Sequence, residues 1–386
     1  MPQFLSADLA LPPLPATPLP STPLAAAVPP QARALARASI PGWAGYAPTP
    51  LLALPGLAGA LGLGAVLAKY EAPRFGLGSF KALGGAFGAM ALLAGLDEAQ
   101  RRAATVVTAS DGNHGLSVAW GARRLGCACK IYLHEKVAEA RADLIRAQGA
   151  QVVRVAGNYD DSTHQAKADA EAFGWYLVSD TAIGPEDAAP GLVMAGYTVM
   201  VDEICAQIGQ QLPTHVFVQG GCGGLAAAVF GALHEAWGTA ARFVIVEPER
   251  ADCLFQSARA GQPVRVEGDL DTVMGGLSVG EVSLSAWETI RATTRDFLTI
   301  ADADAIAAMQ GLGSGQWGDP PLVAGDAGSA GLAGLMAAAQ DSAIRAALGL
   351  DAGARVLTIV TEGAVDAEGY QALTGLDPAA VAQVRA

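Results

Sequence analysis

A chain of 386 residues, 52% of them apolar, has room for two domains with a core each. Its 24 Lys and Arg against 37 Asp and Glu leave a net charge of −13 with no basic block, which excludes nucleic acid and anionic membrane as the main partner. Five cysteines (Cys127, Cys129, Cys205, Cys222, Cys253), an odd number without paired CxxC motifs, exclude a zinc or disulfide framework. With no apolar run of membrane length and no Lys or Arg before Arg33, the expectation is a cytoplasmic protein without a metal site.

Residues 1 to about 32 are rich in Pro and Ala, and prolines such as Pro12, Pro13, Pro15, Pro18 and Pro20 predict extended chain rather than a long helix. Beyond Tyr46 the pattern changes. A strand around Leu51-Leu52, a short helix from Pro55 to Leu61 and a strand over Ala65–Tyr70 lead into the stretch Arg74 to Gly85, which carries Lys81 at the head of a helix. Strands then alternate with helices: Thr105–Thr108, Ala128–Leu133, Gln151–Val155 and Trp175–Val178 form one series. A second series runs through Val216–Val218, Phe243–Val246, Asp296–Ile300 and Val356–Val360, with a separator near 185–200. Short apolar strands between helices predict buried parallel sheets, hence an α/β protein of two doubly wound domains with an active-site cleft between them. The boundaries read as a head over 1–40, a large domain from 41–82 and 200–386, and a small α/β domain over 83–199.

In open parallel sheets ligands bind beyond the carboxyl ends of strands. Four of those ends are informative. Gln219-Gly220-Gly221-Cys222-Gly223-Gly224 joins the strand ending at Val218 to a helix, and glycines at a helix N-terminus form a cradle for phosphate. Ala109-Ser110-Asp111-Gly112-Asn113-His114-Gly115 packs polar side chains among glycines. Taken singly, Asp111 is a helix cap and His114 is as well explained by a structural role. Ser179-Asp180-Thr181 and Thr361-Glu362-Gly363 place acids and hydroxyls at further ends, and the glycine-rich loop from Met274 to Glu281 is expected to line the cleft. Lys81 alone reads as a solvated lysine. Beside a phosphate cradle, an asparagine and a hydroxyl, it reads as the amine that holds a phosphorylated aldehyde, pyridoxal phosphate.

The same motifs, Ser79-Phe80-Lys81 with Leu83-Gly84-Gly85, Ser110 to Gly115 and Gly220 to Gly224, resemble the hallmarks of the fold-type II (tryptophan synthase β-like) pyridoxal-phosphate enzymes. Arg74-Phe75-Gly76-Leu77, Asp111, Val178 to Ala182, Val246-Glu247-Pro248, Ala251 to Leu254 and Gly276 to Glu281 are similar to one branch, the diaminopropionate ammonia-lyases. The likeness runs from about Pro41 to the end. It implies Lys81 as the covalent anchor, Phe80 packed near the cofactor ring, and Asn113 on the ring hydroxyl. It further implies Gly220, Gly221, Cys222, Gly223 and Gly224 on the phosphate, and Thr361 at the ring nitrogen. Asp111 and Asp180 would serve as base and as holder of the distal amine, with Ser110 and Thr181 beside the substrate. Dehydratases of the group carry serine where Asp111 stands.

The implied reaction is α,β-elimination of ammonia from D- or L-2,3-diaminopropionate, a small amino-acid substrate, giving pyruvate and ammonia. Two readings compete with it: a dehydratase of D- or L-serine or threonine, and a pyridoxal-phosphate-binding protein without turnover. Departures from the branch at Ile183 to Asp187 and at Val282 bear on which amino acid is recognised. The resemblance also implies a homodimer.

Overall fold

The computed structural model describes residues 2–6, 22–110, 112–137, 139–157, 159–182, 184 and 187–385. In chain order its strands are β1 (Phe4–Ser6), β2 (Leu51–Ala53), β3 (Ala65–Tyr70), β4 (Thr105–Ala109), β5 (Ala128–His134), β6 (Gln151–Val155), β7 (Tyr176–Leu177), β8 (His215–Gln219), β9 (Arg242–Pro248), β10 (Asp296–Ile300) and β11 (Arg355–Val360). They form two sheets, of order β1-β10-β9-β8-β11-β3-β2 and β6-β5-β4-β7. The chain divides accordingly into a first unit of Met1–Ala27, Pro48–Ser79 and Met200–Ala386 and a second of Val28–Ala47 and Phe80–Val199.

In the first unit the five central strands are parallel, with Phe217 level with Val244 and with Thr358. Successive side chains of a strand point to opposite faces. Phe243 stacks on Phe230 of the Gly224–Trp237 helix, with centroids 4.7 Å apart, whereas Val244 belongs to a core with Ala330, Ala333 and Leu335 of the Ala330–Gln340 helix. The sheet is therefore covered by helices on both faces, which is why its strands read as unbroken apolar runs. Its two edge strands are antiparallel: β1 pairs with β10 and β2 with β3. The expectation of purely parallel sheets is corrected there.

All strand pairs of the second unit are parallel. Val107, Ala109 and Tyr132 pack with Ala166 and Ala170 of the Tyr159–Phe173 helix. The Asn113–Leu125 helix packs against the Lys81–Leu92 helix so closely that a Cβ on Gly121 would come within 2.5 Å of Ala86 Cα. A Cβ on Gly84 would come within 2.2 Å of the Tyr197 ring. Glycine in this stretch therefore serves close approach of helices.

Three segments depart from the sequence reading. The head holds helices at Pro23–Ala27 and Pro30–Ser39, each opening on a proline, the one residue whose missing N–H costs a helix nothing at its first position. The separator near 185–200 lies largely within a 19-residue helix, Ala189–Gln207, whose Pro190 sits in the first turn. The span between β9 and β10 carries helices Cys253–Ala260 and Leu284–Thr293. Among the described residues no helix is long and apolar enough to cross a membrane.

Candidate active site

The loop that delivers Lys81 is fixed at its start by buried charge. Arg74 donates to both carboxylates of Glu71 and Glu203, with four N–O distances of 2.8 Å. Lys69 Nζ donates to Glu203 (2.7 Å), the Thr49 carbonyl (2.7 Å) and Gln207 (3.0 Å), and the Thr49 hydroxyl donates to Glu71. Burial opposes the charge on Arg74, but Glu71 and Glu203 more than offset it and hold its pKa above the ordinary value. Burial lowers Lys69 on balance, while for Glu203 the neighbouring cations overcome burial and hold the carboxyl low. After Arg74 the chain takes Phe75 through φ 53°, and Gly363 N donates to the Gly78 carbonyl at 3.0 Å, pinning the loop end. Ser79 and Glu362 complete that contact as an antiparallel bridge.

In the second unit Lys81 opens its helix with Nζ 2.5 Å from Asp180 Oδ2. The side chains are 24% and 22% exposed, so a molecule from solvent can reach both. Asp180 is held by a tight turn in which Thr181 N donates to Ser179 Oγ (3.2 Å) and Ser179 Oγ donates back to the Thr181 carbonyl (2.8 Å). Burial raises the Asp180 carboxyl, yet at the acid pH where it titrates His114, then protonated, and the Lys81 ammonium prevail and keep it well below the usual carboxylate range. His114 Nε2 lies 2.8 Å from the Val178 carbonyl, and its Nδ1 is 3.8 Å from Asp180 Oδ2. Phe80 is buried against Tyr197 (centroids 4.7 Å), with Lys81 Nζ 5.7 Å from the Phe80 ring. Asn113 begins its helix, and Ser110 Oγ accepts from Gly112 N at 3.3 Å. Asp111 lies outside the described residues, as do 183, 185 and 186.

In the first unit Gly220 through Gly223 turn from β8 into the Gly224–Trp237 helix, with φ of 64° at Gly221 and 96° at Gly223. A Cβ on Gly223 would meet Ile290 Cδ1 at 2.7 Å, so a side chain would both strain the turn and fill it. The first amides of a helix have no carbonyl of their own helix to bond, and with the helix dipole they suit an anion. Below this turn lies Glu247, fully buried, its two oxygens accepting from Leu254 N (2.9 Å) and Phe255 N (2.7 Å). Burial pushes its pKa up to about 8 despite those two bonds. Cys222 lines the turn, and its carbonyl accepts from Ser283 N at 2.9 Å.

Thr361, at the end of β11, is buried, and its Oγ1 accepts from Gln219 Nε2 at 2.9 Å. The same Nε2 faces the carbonyls of Ala327 (2.9 Å), Ile359 (3.3 Å) and Gly328 (3.4 Å), groups that only accept. They fix the amide's orientation. Thr361 must then accept from Gln219, and its own proton is left to donate elsewhere.

The residues present fit pyridoxal phosphate: the first unit has a glycine-rich turn for the phosphate and a hydroxyl with a proton to give for a ring nitrogen, and the second has a lysine for the aldehyde. Parallel α/β sheets carrying these groups define the pyridoxal-phosphate-dependent class, and the family model described as pyridoxal-phosphate dependent enzyme matches residues 43–362. Diaminopropionate ammonia-lyase of Escherichia coli (strain K12) is 37% identical over 348 residues, 85% of this chain and 87% of that enzyme. A crystal structure of the Escherichia coli ammonia-lyase, holding an aminoacrylate–PLP azomethine reaction intermediate, superposes with a TM-score of 0.86 at 33% identity, covering 97% of each chain. Biosynthetic L-threonine dehydratase of Escherichia coli (strain K12) is 32% identical over 64% of this chain and 45% of its own. The chain belongs to the diaminopropionate ammonia-lyase family of pyridoxal-phosphate-dependent enzymes. Its cofactor is pyridoxal 5′-phosphate.

Sequence reasoning quoted Gln219, Glu247 and Arg74 within its motifs but gave none of them a role. Gln219 was legible as the residue before a glycine run, and Glu247 as an acid inside an apolar strand, which marked it as unusual.

Proposed function

We propose that the chain eliminates ammonia from 2,3-diaminopropionate, D or L, and releases pyruvate and ammonia. The observation that carries this reading is the Lys81–Asp180 pair, which sets a firmly ionised carboxylate beside the anchoring amine. When bound, pyridoxal phosphate supplies an electron sink for the charge left at the substrate's α carbon. The backbone amides of Gly220 through Gly224, with Cys222 among them, hold the phosphate. Thr361 donates its remaining proton to the ring nitrogen, Asn113 bonds the ring hydroxyl, and Phe80 packs beside the ring. Lys81 would hold the cofactor by its amine and would take the α proton of the L isomer, while Asp111 would take that of the D isomer. Asp180 binds the distal ammonium and favours its departure as ammonia. Ser110 and Thr181 lie beside the substrate. The released enamine hydrolyses to pyruvate and a further ammonia.

A leaving hydroxide gains nothing from a carboxylate, so Asp180 disfavours the serine or threonine dehydratase reading. The test is a substrate panel: D- and L-diaminopropionate, serine and threonine, with pyruvate, 2-oxobutyrate and ammonia followed. Diaminopropionate is expected to be turned over fastest, and Asp111→Ser to lose the D isomer before the L. Activity confined to the hydroxy amino acids refutes the reading, and a yellow protein silent with every substrate supports a binding module instead. The same proposal places the enzyme in the cytoplasm, supported by five cysteines outside any disulfide, and makes it a homodimer by family resemblance.

A further inference from the structure

His114 is 4% exposed, and its two ring nitrogens face different partners. Nε2 lies 2.8 Å from the Val178 carbonyl, which can only accept, so Nε2 carries the hydrogen. Burial pushes the ring's pKa down, and although Asp180 works against this, the ring is neutral near neutral pH. Nδ1 is then a bare acceptor. It is buried and has no hydrogen-bond partner within reach among the described residues, with Asp180 Oδ2 3.8 Å away. A buried acceptor left unpaired carries the full cost of its lost hydration, and buried polar atoms without partners are few in folded proteins. This one points at the carboxylate that already meets Lys81.

We propose that His114 Nδ1 and Asp180 Oδ2 together seat an alkylammonium, the distal ammonium of a diamino acid, and that His114 thereby helps select an amine over a hydroxyl as leaving group. The proposal rests on the lyase reading and names the group that recognises its substrate. A nitrogen about 2.9 Å from each acceptor spans the gap between them and directs two of its three hydrogens to the pair. In this structure Lys81 donates to Asp180. When Lys81 Nζ leaves Asp180, to hold the cofactor or to take the α proton, the substrate's ammonium takes that place and bonds Nδ1 as well. A hydroxyl has one hydrogen and no charge, so it satisfies one acceptor and leaves the other bare.

Two variants separate this role from a structural one. His114→Gln retains an amide N–H for the Val178 carbonyl and places no acceptor where Nδ1 stood. His114→Asn puts an amide oxygen near Nδ1 and gives up the Val178 bond. In the cofactor-loaded enzyme His114→Gln is expected to raise KM for diaminopropionate about tenfold while KM for serine moves less than about threefold. His114→Asn is expected to recover most of the diaminopropionate KM. Histidine 15N NMR gives a readout without turnover. In the cofactor-loaded Lys81→Ala protein the Nδ1 signal of His114 should shift with diaminopropionate and stay put with alanine. Equal losses for both substrates, or an Nδ1 signal indifferent to diaminopropionate, overturn the proposal. If the wild-type enzyme releases no ammonia from diaminopropionate, the lyase reading fails by itself, and the NMR titration still decides whether the ammonium seat exists.

Discussion

Lys69 and Lys81 each meet a carboxylate, and their surroundings make opposites of them. Lys69 is fully buried and spends its three hydrogens on Glu203, the Thr49 carbonyl and Gln207. With Arg74, Glu71 and Glu203 it forms a cluster of two cations and two anions that is neutral as a whole. Lys81 keeps about a quarter of its side chain open, and its partner Asp180 is open to a similar extent. A saturated buried cation fixes geometry, because every hydrogen it could offer is already used. An ion pair that solvent can reach can exchange its partner for a ligand. The closed cluster anchors the loop; the open pair is where chemistry can occur.

That contrast is broken most severely by cutting the closed cluster. Arg74→Met strands Glu71 and Glu203 on Lys69 alone, and removal of one member of a buried ionic group costs about 3–5 kcal/mol. Urea denaturation should show a loss of that size, and a loss below about 1 kcal/mol would mean the cluster behaves like a surface pair. A smaller effect sharpens the other half. The Asp180 carboxyl is depressed in the fold, so its contribution to stability is present above the ordinary aspartate pKa of about 3.9 and is lost as the pH falls. Thermal melts between about pH 3 and pH 7 should find wild type and Asp180→Asn converging toward acid. An offset that stays constant with pH contradicts the assignment.

Much of this was legible in the sequence, and the remainder was hidden for identifiable reasons. Ala65–Tyr70 and Asp296–Ile300 are apolar, bounded runs, and both strands form over those residues. Four glycines in a strand-to-helix turn can close round an anion, and the turn itself, from β8 into the Gly224–Trp237 helix, could be read from composition and order. The Ala189–Gln207 helix was obscured because Pro190-Gly191 looks like a break, although a proline in a first helical turn is well tolerated. The pairings that organise the site join residues far apart in the chain: Lys81 to Asp180 across 99 positions and Gln219 to Thr361 across 142. No local pattern encodes such pairs. They follow from tertiary packing, which within each unit brings together residues distant in the chain. The unpaired Nδ1 of His114 depends on ring orientation, and a sequence does not carry that.

The central claim is that, of these two lysines, Lys81 is the one that bonds the cofactor. Borohydride reduction of the yellow enzyme, proteolysis and mass spectrometry test it directly. The pyridoxyl group should appear on the peptide that contains Lys81, with no labelled peptide from the Lys81→Ala protein. Label on Lys69 or on any other lysine, in the wild-type enzyme, would contradict it.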